Sequence, residues 1–170
     1  PIGPIILATN ANRTISDYFE TLKWLPRPSV QTLASAMDVG DPSNMERLRS
    51  LVGDAQVLRE RLGVLAVTDD LIEAAIRRDF DEFGFATCPH TATATHAWRQ
   101  LDEELRVEHD WILVATAHPA KFETIVEPLI GTTVPLPQGL ADILSRPSHS
   151  TAIDADLSAL DTALSQFFSA

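Results

Sequence analysis

The chain has 170 residues, 45% hydrophobic and 22% charged, enough for one globular domain with a real core. Its formal net charge of −11 and pI near 4.7 argue against a nucleic-acid groove or an anionic membrane surface as partner. A lone cysteine, Cys88, excludes an internal disulfide, and no apolar run approaches a membrane span, so a cytoplasmic protein is expected.

Residues 4–9 read as a short buried strand, ended by Asn10, Ala11 and Asn12. A domain seldom opens so abruptly on a buried strand, and the chain is expected to be a piece of a longer polypeptide. A helix should follow from about Ser16 to Lys23, with Ser16 as candidate N-cap. Pro26 and Pro28 then open an irregular stretch reaching about Pro42. Ser43 to Glu46 matches a capping box, and Met45, Leu48, Val52, Ala55, Leu58 and Leu62 form one helical stripe behind it. Gly63 is placed as the C-cap of that helix.

Residues 64–67 are either a strand or an extended link. Thr68 or Asp69 caps the next helix, which turns Ile72, Ala75, Ile76, Phe80 and Phe83 inward and stops at Gly84. Pro89 and His90 open a helix through about Leu105, rich in Ala and Thr and so suited to close packing. Residues 111–115 are a continuous apolar run, the mark of a strand buried on both faces. A helix is expected from Pro119 to about Leu129, a short one near residues 140–144, and a last one carrying Leu157, Leu160, Leu164 and Phe167 on one stripe. Strands alternating with helices make an α/β pattern. Two convincing strands and one doubtful strand make only an incomplete parallel sheet with flanking helices, so its other strands should lie outside this chain or on a partner.

In an open α/β sheet, ligands meet the carboxyl ends of the strands. Asn10, Asn12, Thr116 and His118 stand at such ends, although Asn and Thr also end strands with no ligand present. Ser43, Asn44 and Arg47 present a helix N-terminus with a hydroxyl, an amide and a guanidinium, a place for a phosphate or carboxylate for which Glu46 competes. Lys121 is either an amine for a carbonyl cofactor or a solvated surface group. The five histidines fall at no metal-ligand spacing, and His90 and His118, beside Pro89 and Pro119, suit structural hydrogen bonds at helix entrances. Cys88 carries no dyad signal beyond its closeness to His90. The seven glycines are scattered, which excludes a phosphate cradle made within the chain.

Several segments together resemble the C-terminal part of threonine synthases. They are Ala8-Thr9-Asn10-Ala11-Asn12, Ala36-Met37-Asp38-Val39, Pro42-Ser43-Asn44-Met45-Glu46-Arg47, Pro89-His90-Thr91-Ala92 and the run from Thr116 to Phe122. The resemblance implies a fold-type II enzyme dependent on pyridoxal 5'-phosphate (PLP), residues 1–170 forming part of a three-layer α/β/α sandwich. It further implies conversion of O-phospho-L-homoserine and water into L-threonine and phosphate, with Thr116 bonded to the pyridine nitrogen. Ser43, Asn44, Arg47 and Asn10 are then candidate substrate contacts. The Schiff-base lysine and the phosphate loop should lie upstream, in the N-terminal part of the same enzyme, leaving these residues inactive alone. Arg13 and Cys88 depart from the family, which usually has acidic residues there. The alternatives are a non-catalytic interaction or regulatory module on the same fold, and an unrelated doubly wound domain holding a small anion at Asn10, Asn12 and Thr116.

Overall fold

The computed structural model describes residues 3–53 and 55–169, with the side chain of Ala55 left aside. Two units are distinguished, residues 1–135 and 136–170. The first is built on strand β1 (Ile5–Thr9) paired in parallel with β2 (Leu62–Ala66), in the register Ile5 to Leu62 through Thr9 to Ala66. The Val67 amide extends the ladder by donating to the Thr9 carbonyl at 2.8 Å. The doubtful strand is therefore real, and Gly63, expected as a helix cap, sits inside it opposite Ile6.

Side chains alternate across β2, and each face finds a core. Leu62 and Val64 meet Tyr18, Phe19, Met45 and Leu58, which come from α1 (Thr14–Thr21), α2 (Asn44–Val52) and α3 (Ala55–Arg61). Leu65 and Val67 meet Ile72, Ala75, Ile76, Ala92 and Val126 of α4 (Asp69–Phe83), α5 (Pro89–Arg99) and α7 (Glu123–Ile130). The expected α/β class is thus borne out, with helices over both faces of a small parallel sheet.

Several local expectations need correction. The long helix after Ser43 is broken by Gly53, which takes φ +76° and ends α2. Met45 and Leu58 nevertheless reach one core, so the stripe survives the break. The capping box does not form: the Ser43 side chain makes no cap bond, and the turn closes through backbone, Glu46 N–H donating to the Ser43 carbonyl at 3.1 Å. Ser16 lies within α1 rather than ahead of it, buried and in contact with the Thr9 hydroxyl at 3.3 Å.

Helix α5 stops at Arg99, and α6 (Glu103–Glu108) restarts behind extended Asp102 with Glu103 and Glu104 in its first turn. Acidic side chains there favour a helix start, because they complement the positive end of the dipole. A 3-10 turn (Pro119–Phe122) precedes α7. The largest correction concerns residues 111–115, which form no strand and have no ladder partner among the described residues. Ile112 is 88% exposed and Val114 66%.

Between α4 and α5 lies a buried ion pair. Asp79, with no exposure, accepts from Arg99 Nη1 at 2.7 Å, Thr87 Oγ1 at 2.7 Å and Thr95 Oγ1 at 2.8 Å. Buried Ala92, Thr93 and Ala97 let α5 approach closely, as its small-residue composition suggests. The second unit contains α8 (Gln138–Leu144) and α9 (Leu157–Ser169), whose apolar stripe from Leu157 to Phe167 is exposed. No described helix is long and apolar enough to cross a membrane.

Candidate functional site

The first unit holds a cavity of 1330 Å3. Every residue from 3 to 9 lines it, as does every residue from 109 to 114. Polar groups come from Thr9, Asn12, Ser43, Asn44, His90, His109, Asp110 and Thr116. The structure therefore brings Ser43, Asn44 and Thr116 to one cavity, although they lie far apart in sequence. The failed capping box has a consequence here: the Ser43 hydroxyl and Asn44 amide have no partner among the described residues.

Asn10 stands behind this wall rather than on it, fully buried. Its Nδ2 donates to Thr32 Oγ1 at 2.7 Å, Asp38 Oδ1 at 2.7 Å and the Ala34 carbonyl at 3.2 Å. Its Oδ1 accepts from Asn12 N–H at 2.9 Å and Asn12 Nδ2 at 3.0 Å. Asn12 in turn clasps Val30 through both backbone groups, at 2.8 Å each. The side chain of Asn10 is thus engaged in the structure behind the wall rather than presented to the cavity. Strand-end asparagines serve local bonds before ligands.

Sequence reasoning placed Asp38 only within a motif. It is the hub of the network, accepting also from Thr32 N–H at 3.0 Å and Thr32 Oγ1 at 2.7 Å. The signal for it was its spacing after two prolines, in a loop needing an acceptor for its amides. His90 does what its helix-entrance position suggests: Nε2 accepts from Ala36 N–H at 2.9 Å, pinning the turn that carries Met37 to the cavity. Burial lowers its pKa first, with Lys121 adding to that and Asp38 opposing it, so the ring is held neutral.

Arg47 is exposed, off the cavity wall, and makes no ion pair among the described residues. Lys121 is exposed and off the wall too, which favours the solvated reading. His118 caps the 3-10 turn by accepting from Ala120 N–H at 3.2 Å. Of the two departures, Arg13 pairs on the surface with Asp17 and Glu20, and Cys88 is buried against the Thr91 hydroxyl at 3.3 Å. Neither lines the cavity. The described residues hold no group of three or more metal-ligating side chains.

The family model described as "Threonine synthase, C-terminal" matches residues 91–164. Threonine synthase of Escherichia coli is 34% identical over 160 residues, which are 94% of this chain and 36% of that protein. Its crystal structure superposes with a TM-score of 0.83 at 33% identity, covering 98% of this chain and 38% of that one. The chain matches the C-terminal part of threonine synthase. It spans about a third of the length of these relatives. A PLP-bound threonine synthase from Brucella melitensis superposes with a TM-score of 0.77 at 26% identity, over 98% of this chain and 40% of that one.

Proposed function

We propose that the chain is the C-terminal segment of a cytoplasmic, PLP-dependent threonine synthase, which converts O-phospho-L-homoserine and water into L-threonine and phosphate. The observation that carries this reading is the Escherichia coli fold match over nearly the whole chain, with Thr116 on the wall of the 1330 Å3 cavity. When bound, PLP would supply an electron sink for the carbanions that elimination and hydration require.

The residues present fit one part of that group. Thr116 offers a hydroxyl without a partner among the described residues, suited to a neutral bond at the ring nitrogen. A hydroxyl there leaves the ring less electron-withdrawing than a carboxylate would, since it does not enforce protonation. Ser43 and Asn44, at the free end of α2, suit the phosphate or carboxylate of the substrate. Arg47, exposed and off the wall, supplies a cation one turn along α2. Asn10 acts indirectly, by fixing Asn12 and Asp38. Neither Lys23 nor Lys121 lines the cavity, so the cofactor-holding amine is assigned to the N-terminal part of the same enzyme, and this chain alone should be inactive.

Replacing the Thr116 hydroxyl tests the assignment. In the longer enzyme, Thr116→Val should lower kcat about 10- to 100-fold, with the visible band of bound PLP shifted and thermal stability little changed. Unaltered kinetics and spectrum would remove Thr116 from the cofactor site.

A further inference from the structure

The 3-10 turn Ser35–Met37 is closed by Met37 N–H donating to the Ala34 carbonyl at 2.9 Å and Asp38 N–H donating to the Ser35 carbonyl at 3.1 Å. So short a turn does not hold itself, and its first amides need partners from outside. Ala36 N–H finds one 54 residues away, in His90 Nε2 at 2.9 Å. The Asp38 carboxylate is the second anchor, accepting from Asn10, Asn12 and Thr32. Ala36 and Met37, held between these anchors, line the cavity together with His90 itself. We propose that His90 is a positioning residue for substrate binding: by accepting from Ala36 N–H it sets the apolar wall at Ala36 and Met37, and a protonated ring releases that wall. The proposal rests on the functional reading for the identity of the substrate, a phosphorylated amino acid whose carbon skeleton meets an apolar surface.

The geometry requires a neutral ring. With Nε2 accepting, the ring proton sits on Nδ1, which is buried and has no partner among the described residues. A second proton goes onto Nε2, where it meets the Ala36 N–H, donor against donor. The imidazolium then lacks an acceptor at both nitrogens, in a residue only 9% exposed. Burial is the main influence against the charged form; Asp38, beyond the turn, favours that form, and Lys121, in the turn before α7, opposes it. Around the ring, Asp69 and Asp79 of α4 are engaged with Leu33 N–H and Arg99. Glu127 of α7 is engaged with Val134 N–H, and Cys88, at the head of α5, lies against Thr91. Loss of the wall therefore sets in as the pH falls below about 6.5, the ordinary value for the ring.

Ring nitrogen NMR tests the bond on the 170-residue chain. Steady-state kinetics test the role on a fusion in which the unmatched part of Escherichia coli threonine synthase precedes the chain. Near neutral pH the His90 ring should carry its proton on Nδ1 and leave Nε2 bare; a proton on Nε2 overturns the proposal. In the fusion, His90→Leu should raise KM for O-phospho-L-homoserine about 10-fold and change kcat by less than about 3-fold. His90→Gln, whose carbonyl can accept from Ala36 N–H, should recover most of that rise. Below about pH 6.5, KM of the parent should climb more steeply than that of His90→Gln, while ionisation of the substrate is common to both. Coincident pH profiles, an unchanged KM in His90→Leu, or no recovery in His90→Gln each overturn the role. If His90→Leu loses exchange protection in α4 and α5 it has misfolded, and the two pH profiles decide. Failure of the functional reading shows differently. A fusion that neither binds PLP nor turns over, with the ring spectrum as expected, removes the enzyme and the positioning role with it. An active fusion indifferent to His90→Leu removes the role and keeps the enzyme.

Discussion

Asn10 shows how a strand-end residue can serve the structure of a site from behind its wall. Its amide is saturated by the loop of residues 30–38, which it holds against the end of β1. Asn10→Ala would strand the Asn12 N–H and loosen Asp38 and Thr32, at a cost of about 2–4 kcal/mol by urea unfolding. A loss below about 0.5 kcal/mol would mean that the network contributes little. His90 gives a second expectation at this scale. Its folded pKa lies below the ordinary 6.5, mainly through burial. Below that ordinary value the unfolded chain takes up a proton that the folded ring resists. The contribution is therefore fully present above about pH 6.5 and is lost as the pH falls from there toward the depressed folded value. Melting temperature should decline over that interval, and less steeply in His90→Gln. His96, lowered mainly by burial and then by Arg99, adds in the same direction, so some decline should persist in the variant.

Among the elements, β1, α4 and the C-cap at Gly84 were legible because each is settled by local chemistry: an apolar run, a helical stripe, a glycine at φ +72°. The break at Gly53 was less so, since the apolar stripe runs through it and only backbone conformation reveals the interruption. The stop at Arg99 could have been read from Asp102, Glu103 and Glu104, which suit a helix beginning better than a helix middle. The pair Asp79 and Arg99 was not foreseen, because the charges are 20 residues apart and become partners only when α4 and α5 pack. Asp79→Ala leaves the Arg99 guanidinium enclosed without its main partner, since only the exposed Glu82 remains, and should cost about 3–5 kcal/mol. Replacing both by apolar residues of similar volume should recover part of that loss. Denaturant curves on the single and double variants decide it, and a double variant no better than Asp79→Ala would contradict the account.

On the scale of the whole molecule, the incompleteness of the sheet was readable from the strand count alone, and so was the gathering of polar residues near strand ends. What sequence could not supply was which strands are neighbours. β2, the doubtful one, is paired, while residues 111–115, the most apolar run, have no ladder partner among the described residues, because pairing depends on chain outside the local pattern. The same limit hid the division between Asn10, which supports the wall, and Ser43, Asn44 and Thr116, which form it. The central claim is that these residues make one side of a cofactor site whose reactive amine lies elsewhere in a longer enzyme. PLP titration followed by borohydride reduction tests it most directly. The fusion with the unmatched part of the Escherichia coli enzyme should bind PLP, become covalently labelled and release phosphate from O-phospho-L-homoserine, while the 170-residue chain does none of these. Covalent labelling and turnover by the chain alone, or a folded fusion that fails to bind PLP, would contradict the account.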